Sequence, residues 1–422
     1  MKLIPALKLA LKLAKGKSSL PILNHVFVEP GQVTVTNLSH WAIIKADYQG
    51  PAALLPVQAL RDSLKKAKTF TVSQVEGEHR FKLDNGTVTT VVQGGTPEDY
   101  PEQPTGLSWT PVPGCFSASR LARAHARLSP FASTDVTREV LNWYLLETHP
   151  EAATAEGPLQ GAARLIACNG HAVTTAMTRN LGSREGEPTE TLVHPFMVEQ
   201  ALQAQGDGVL TIAVGKGKGL TYTRIQNDQV TLLSNVPDSA SKYPNWRQVV
   251  HQGGLAAFAV SSSHLAAVLG SMPNYVKGVE LSSDGLKTGI GWADEATDGN
   301  VALRATAENR TPAVLKGTVP HPLLSVVING PYLRSVAARS PGRLTFVLGP
   351  GCKKPSSISC IAEQGILAVD SDQTVDEVTC IMQMRSDRVL APHDWIQLAR
   401  PYLEAQGFES GVLKPEETAE AA

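Results

Sequence analysis

The sequence predicts an α+β fold of three tandem repeats, in which short helices form one layer and antiparallel sheets form the other. Two observations lead to this prediction. A pattern of apolar strand, proline, short helix, strand and hairpin occurs three times along the chain. The helices carry an apolar stripe on one side only, so each must cover one face of a sheet. The length agrees, because 422 residues correspond to two to four domains at roughly 100–200 residues each.

The three copies of the pattern match element by element. The first has a strand at 52–55, Pro56, a helix at 57–66, a strand at 69–75 and a hairpin of 81–83 and 87–92. The second has 191–193, Pro195, 196–204, 209–214 and a hairpin of 222–225 and 230–234. The third has 325–328, Pro331, 332–338, 343–348 and a hairpin of 358–361 and 366–370. Proline suits the first turn of a helix, where its missing N–H has no partner.

Each copy follows a half-unit of one helix and then strands. The helices are predicted over 3–15, 117–128 and 261–270, and the main strands after them over 22–28, 140–147 and 276–281. The first two copies end alike, at Tyr100-Pro101 and Tyr243-Pro244. We therefore expect domains over 1–113, 114–252 and 253–386, followed by a C-terminal extension over 387–422.

The composition excludes several classes of protein. With 38 Lys+Arg against 39 Asp+Glu, the chain is neither a wholly basic nucleic-acid coat nor an acidic disordered protein. Five cysteines without a CxxC pair indicate neither a disulfide framework nor a structural zinc site. No apolar run reaches the length of about 18 residues that a membrane-spanning helix needs. We expect a soluble cytoplasmic protein that needs no metal and no cofactor.

Positive charge is concentrated on the predicted helices. In the first helix, apolar residues from Leu3 to Ala14 recur at helical spacing, whereas Lys8, Lys12 and Lys15 lie opposite them, which is not the pattern of a signal peptide. Further basic residues on the helices are Arg61, Lys65, Lys66, Arg120, Arg123, Arg127, Arg334 and Arg339. A single basic helix face is usually only solvated surface. The same bias on four of six helices favours contact with a phosphate backbone.

Four motifs in order give the chain a family resemblance. Residues 19–23 (SLPIL) resemble TLPIL, 167–173 (ACNGHAV) resemble ATDGHRL, 243–249 (YPNWRQV) resemble FPDYRRV, and 381–385 (IMQMR) resemble VMPMR. These are motifs of the bacterial DNA polymerase III beta subunit, the sliding clamp. The resemblance covers residues 1 to about 386 and includes all three repeats.

The resemblance implies a head-to-tail homodimeric ring that encircles double-stranded DNA and makes no covalent change to it. Its helices would line the central hole, and contact with phosphates alone would be independent of sequence. Lys17 matches a basic family position that reaches toward DNA. From the helix faces we add six residues to the expected DNA-binding set: Lys12, Lys15, Lys65, Arg120, Arg123 and Arg127.

The resemblance also implies a pocket between the second and third domains. In the family it captures short peptides of the replicative polymerase, the clamp loader and other proteins with a clamp-binding motif. The matching positions here are Leu141, Cys168, Gly170, His171, Val173, Pro244, Val249, Ser357, Ile381, Met382 and Met384. The chain departs from the family at Ala172 and Gln248, where the family has arginine, and at Gln383, where it has proline. These departures predict an altered peptide preference.

The extension over 387–422 has no counterpart in the family pattern. Its residues Trp395, Ile396, Leu398, Ala399, Tyr402 and Leu403 fit one helix stripe, and an acidic end follows. Because the extension starts beside the pocket strand, we hypothesise that it docks near the pocket or competes for it. The alternative is a helix packed elsewhere on the third domain.

Two other functions remain open from the sequence. One is a divergent clamp paralogue of a plasmid or phage, with altered partners. The other is an enzyme, for which Cys168 and His171 are the best candidates, although the sequence shows no catalytic constellation. The glycine-rich run 215–219 lacks the spacing of a phosphate-binding loop and indicates a basic hairpin turn.

Overall fold

The computed structural model describes sixteen segments of the chain. They are 1–14, 18–75, 79–113, 115–148, 162–181, 189–205, 208–237, 243–246, 256–271, 278–283, 287–292, 305–308, 324–339, 343–349, 357–362 and 378–382. Within these residues no helix is long and apolar enough to cross a membrane. The helices and strands fall into three similar units.

The first unit comprises α1 Leu3–Leu13, β1 His25–Glu29, β2 Gln32–Thr36, β3 His40–Lys45, β4 Ala53–Pro56, α2 Val57–Leu64, β5 Thr71–Gln74, β6 Arg80–Asp84 and β7 Thr89–Gln93. Strand β8 Ser108–Pro111 leads to the middle unit, which comprises β9 Cys115–Ser117, α3 Ala118–Leu128, β10 Tyr144–Thr148, β11 Ala162–Cys168, β12 Ala172–Leu181, β13 Glu190–Val193, α4 Pro195–Gln205, β14 Val209–Gly217, β15 Leu220–Gln226 and β16 Val230–Asn235. The third unit comprises β17 Ala256–Ser261, α5 Ser262–Ser271, β18 Gly278–Ser283, β19 Lys287–Trp292, β20 Ala305–Glu308, β21 Leu324–Asn329, α6 Gly330–Arg339, β22 Arg343–Gly349, β23 Ser357–Ala362 and β24 Val378–Met382.

Two long antiparallel sheets join neighbouring units. One has the order β4-β1-β2-β3-β16-β15-β14, with β8 and β9 in succession along the outer edge of β14. The other has the order β13-β10-β11-β12-β24-β23-β22-β17. In both, the third strand after the first helix of one unit (β3 or β12) pairs with the last strand of the next (β16 or β24). We call β3–β16 the first seam and β12–β24 the second seam.

Two shorter sheets lie at the ends of this arrangement. Strands β5-β6-β7 form one in the first unit. Strands β21-β18-β19-β20 form the other in the third unit. Among the described residues, β7 and β20 therefore each have one edge with no neighbouring strand.

The helices cover one side of the sheets in pairs, α1 with α2, α3 with α4 and α5 with α6. Contacts of α1 with α4 and of α3 with α6 continue this layer across the seams. Leu7, Leu60, Leu121 and Leu333, one from each of four helices, are at most 1% exposed and belong to one apolar cluster. Burying a side chain of this size contributes roughly 1.5–3 kcal/mol, so the apolar stripes hold the helices on the sheets. The predicted two-layer α+β fold is confirmed.

Most local predictions agree with the structure. Pro195 begins α4 and Pro56 caps α2. The run 215–219 is a hairpin turn, because Lys218 and Gly219 both have positive φ between β14 and β15. The expected hairpin partner of β23 is wrong, since β24 and not 366–370 pairs with it. Residues 366–370 and the extension 387–422 lie outside the described residues, and the domain boundaries at 113, 252 and 386 remain predictions.

Candidate nucleic-acid and partner interfaces

The free side of the helix layer carries exposed cations. Lys8 and Lys12 are exposed on α1, and the ammonium group of Lys12 donates a hydrogen bond to Gln203 on α4. Lys65 follows α2 and pairs with Asp62 at 2.8 Å. Hydrogen bonds from Lys65 and then Gln58 lower the pKa of the Asp62 carboxyl group. Both side chains are more than half exposed, so this pair leaves Lys65 accessible.

The three arginines of helix α3 differ in their exposure to solvent. Arg123 is exposed and Arg120 is half-buried, as expected of residues on the free side. Arg127, however, is 8% exposed, and its Nη2 lies 3.4 Å from Thr379 Oγ1 on β24. The sequence analysis placed Arg127 on the same free face of the helix as the other two arginines. That prediction is wrong for Arg127, because its side chain is buried. The reason is that α6 and β24 of the third unit cover that side of α3.

The outer face of the second seam holds a compact apolar cluster, which we call the seam cluster. Its members include Leu141, Cys168 and Val173, each at most 5% exposed. Cys168 stands opposite Val173, and Val173 stands opposite Cys380, so the three form one row across β11, β12 and β24. Three of the predicted pocket residues therefore meet. Strand register places Cys168 beside Val173, and Leu141 joins them from the 3-10 helix Val136–Asn142.

Strand alternation corrects two positions of the predicted pocket. Ile381 and Ala172 stand opposite each other and belong to the core beneath the helices, where Ile381 is 0% exposed. Side chains alternate between the faces of a strand, so Ile381 cannot share the face of Cys380. Ile381 is therefore wrong as a pocket residue, and Ala172 removes no cation from the outer face. Cys380 was missed, although the alternation of β24 would have indicated it.

The loop at the start of β12 is a tight turn held by its own side chains. Asn169 Oδ1 accepts hydrogen bonds from the backbone N–H groups of His171 and Ala172 at 3.0 and 2.9 Å. Gly170 has φ +85°, and a Cβ there would lie 2.7 Å from Arg138 Nη1. His171 is exposed at the rim of the cluster. Gly170 and His171 thus lie where the pocket was predicted.

The segment 243–246 forms the other wall of the seam cluster. Tyr243 donates its hydroxyl hydrogen to Ile166 O at 3.2 Å, and Trp246 Nε1 donates to Glu147 Oε1 at 2.9 Å. Arg164 lies 3.8 Å from Glu147 and stacks over the Trp246 ring at 5.1 Å. Burial raises the pKa of the Tyr243 hydroxyl well above its ordinary value. Trp246 is a member of the cluster that the sequence analysis did not select, and Pro244 lies between these two anchors.

Four predicted site residues lie outside the described residues, namely Lys15, Lys17, Val249 and Met384. Of the remaining pocket positions, Ser357 and Met382 stand opposite each other on β23 and β24. Cys168 is buried, and burial raises the pKa of its thiol, which is the opposite of what an activated nucleophile needs. No group of three or more metal-ligating side chains occurs among the residues that the structure describes.

The sheets, seams and paired helices together define the fold of the bacterial DNA sliding clamps. The DNA polymerase III subunit beta of Pseudomonas aeruginosa superposes with a TM-score of 0.68 at 20% identity, over 91% of this chain and 98% of that one. The sliding clamp of C. crescentus gives a TM-score of 0.71 at 15% identity over 91% and 96%. The clamp of Bacillus subtilis gives 0.71 at 11% over 91% and 97%. At these identities the similarity establishes the fold.

Comparison of the sequence alone finds no matching family model and no matching curated protein.

Proposed function

We propose that this protein is a sliding clamp that encircles double-stranded DNA as a homodimeric ring and confers processivity on a replicative DNA polymerase. The observation that carries the proposal is the repeated seam. In each seam the third strand after the first helix of one unit pairs with the last strand of the next. That rule leaves two strands without their partners, β7 at one end and β20 at the other.

A second copy supplies both missing neighbours. Placing β20 of one copy beside β7 of the other makes a third sheet, β5-β6-β7-β20-β19-β18-β21, which repeats the arrangement of the two seams. Edge strands left open invite such pairing. Thr89, Thr90 and Val91 on β7 are exposed, and Val91 retains 48% of its surface in the single chain. Two such β7–β20 pairs, one at each contact between the two copies, close a head-to-tail dimer.

In such a ring the continuous helix layer faces the hole. Its cations contact phosphates and read no bases, so the ring stays mobile along the duplex. The exposed residues Lys12, Lys65 and Arg123, the half-buried Arg120, and Lys15 and Lys17 make up the proposed DNA-contacting set. Arg127 is left out because it is buried. The protein then acts by topology and catalyses no reaction.

The seam cluster is the proposed docking pocket for peptides of the polymerase, the clamp loader and other partners. Leu141, Cys168, Val173 and Pro244 would form its apolar wall, with Gly170 and His171 at the rim. Val249, Ser357, Met382 and Met384 complete the set. Aliphatic and sulfur-containing side chains suit the apolar anchors of a short peptide.

The test is retention on DNA without free ends. The protein is loaded on nicked circular DNA and washed in salt that strips ordinary electrostatic binders. A ring stays on the circle and is lost when a restriction enzyme linearises it. Equal loss from both forms contradicts the proposal.

One substitution at the edge sharpens this test. Asn85 N donates to Val88 O and Gly94 N donates to His79 O, so alternation directs the N–H of Val91 away from β6. Val91→Pro therefore removes a donor from the free edge alone. We expect a monomer of 45.0 kDa in place of the dimer, and no retention on circles. Val88→Lys, at the neighbouring exposed turn, is the control and keeps both properties.

A further inference from the structure

Among the described residues, strand β13 of the middle unit pairs with a strand along one edge only. It pairs with β10 on one side, where Thr148 N donates to Thr189 O. Alternation along an antiparallel pair then directs the N–H and C=O groups of Glu190 and Leu192 to the opposite side. Leu192 O accepts the hydroxyl of Thr223 there at 2.6 Å. The backbone groups of Glu190 face that side too, beyond the reach of β10.

In the first unit, a later segment of the chain covers the corresponding edge of β4. Gly94 N donates to His79 O, and Gly95 N then donates to Leu54 O on β4, the counterpart of Leu192. A Cβ on Gly94 would lie 2.6 Å from Leu54 O, so only glycine lets the segment come this close. The first unit thus needs two consecutive glycines to cover β4.

The middle unit cannot form this closure. Val236 N donates to Thr221 O, which makes Val236 the counterpart of Gly94 and Pro237 the counterpart of Gly95. Val236 has the Cβ that Gly94 must lack, and Pro237 has no N–H to donate. Val236 and Pro237 therefore do not reproduce the closure that Gly94 and Gly95 make in the first unit.

A slot of about 730 Å³ lies along the uncovered edge. Its walls include Glu190 and Leu192 on β13, Thr110 on β8, Lys216 on β14 and the ring of Trp246. Thr189 to Leu192 all line it, so the slot follows the strand edge itself. This shape suits an extended chain.

The charges beside the slot specify one side chain of that occupant. Arg164, Glu147 and Glu190 stand in one row across β11, β10 and β13. Arg164 balances Glu147 at 3.8 Å, which leaves the exposed Glu190 as a second carboxylate directly beside Glu147. Like charges opposite each other on neighbouring strands are destabilising. A positively charged side chain on a strand added beside β13 would reduce the repulsion between these two carboxylates.

We propose that the slot binds an extended segment of a partner protein as an added strand on β13, with lysine or arginine opposite Glu190 and an apolar residue opposite Leu192. Strand addition takes its affinity from the backbone and its specificity from alternate side chains. This site adjoins the proposed peptide pocket, with which it shares Pro244 and the cluster members Leu192 and Trp246, and its test involves neither DNA nor ring closure. It therefore succeeds or fails independently of the clamp proposal.

The test uses two nine-residue peptides that alternate valine and threonine, one with lysine and one with glutamate at the central position of the valine face. Binding to the full-length protein is measured by calorimetry, and protection of the Glu190 and Leu192 amides by hydrogen exchange. We expect the lysine peptide to bind about tenfold more tightly than the glutamate peptide, since a close charge pair is worth on the order of 1.5 kcal/mol or more.

Two variants separate the site from general charge effects. Glu190→Lys should reverse the preference, whereas Glu102→Lys, an exposed position on the outer side of the first unit, should leave it unchanged. Replacing Val236 and Pro237 together by glycine should close the slot and abolish binding of both peptides. The proposal is overturned by no binding of either peptide, by an unchanged preference in Glu190→Lys, or by protection that does not include the Glu190 amide.

Discussion

The two seams share one backbone arrangement and differ in the side chains on their outer faces. In the first seam Trp41 stands opposite Leu233, and Trp41 packs edge-to-face on Tyr222 with ring centres 6.0 Å apart. At the corresponding place in the second seam, Val173 stands opposite Cys380. Aromatic rings cover the strand pair of the first seam, whereas the matching pair of the second seam consists of smaller side chains. The repeat therefore sets the backbone arrangement, and the side chains on the outer face differ between the copies.

The strand before the middle unit completes the filling of the first seam. Trp109 on β8 lies over Gly215, where a Cβ would be 2.8 Å from its ring. The guanidinium group of Arg224 stacks on Trp109, 4.4 Å from the centre of its ring. Gly215 thus leaves space for the Trp109 ring.

The largest effect is expected from emptying the filled seam. Trp41→Ala should lower the free energy of unfolding by about 3–5 kcal/mol, because it removes a buried aromatic side chain and leaves a cavity. Val173→Ala in the second seam removes less volume and should cost about 2 kcal/mol. Urea unfolding of both variants measures the difference. Equal losses would show that the two seams are packed alike.

The buried carboxylate of the middle unit comes next. Glu147→Ala leaves the guanidinium of Arg164, itself 5% exposed, without its ion pair and should cost about 3 kcal/mol. Glu29 is the matched position in the first unit, half-buried and bonded to Gln32. Glu29→Ala should cost less than about 1 kcal/mol. A loss at Glu29 as large as that at Glu147 would contradict the role of burial.

The two connecting segments offer a smaller comparison. Tyr100 accepts from Thr36 N at 3.0 Å, so Tyr100→Phe leaves a buried donor unpaired and should cost about 1–2 kcal/mol. Tyr243→Phe leaves only the carbonyl of Ile166 without this bond and should cost about 1 kcal/mol or less. Thermal unfolding of the two variants gives the ranking. The reverse order would mean that the segment 243–246 carries more of the stability.

The smallest effect concerns pH and the helix side of the middle unit. Burial lowers the pKa of His125 below its ordinary 6.5, more strongly than nearby Glu199 raises it, and Nδ1 lies 3.1 Å from the Tyr144 hydroxyl. As the pH falls below about 6.5, the unfolded chain binds a proton that the folded one resists, so stability is lost. His125→Gln should lose less stability between pH 7 and pH 5.5, by on the order of 1 kcal/mol or less.

At pH 8 the imidazole ring is neutral in both the folded and the unfolded chain. The difference in free energy of unfolding between wild type and variant at this pH therefore gives the packing contribution of His125. If the free energies of unfolding of the wild type and of His125→Gln changed in parallel with pH, this pH dependence could not be assigned to His125.

Several features of the candidate site were accessible from the sequence and others were not. Leu141, Cys168 and Val173 were expected in one pocket because the family resemblance assigns all three to it, and the structure brings them into one apolar cluster. Ile381 and Met382 were both selected, although neighbouring residues on a strand point to opposite faces, and the structure places Ile381 in the core. The partner of β23 was also wrong, because long-range pairing depends on which strand fits the free edge.

By itself the sequence determined the local elements, since proline positions, apolar periodicity and turn residues act over a few neighbouring positions. It thereby determined the threefold repeat and the α+β class. Only the tertiary structure decided the surroundings of each face. The third unit covers the side of α3 that carries Arg127, and Val236 and Pro237 stand where the first unit has the two glycines that contact β4. Burial depends on what another part of the chain brings to a surface, and that contact has no signature in the local pattern.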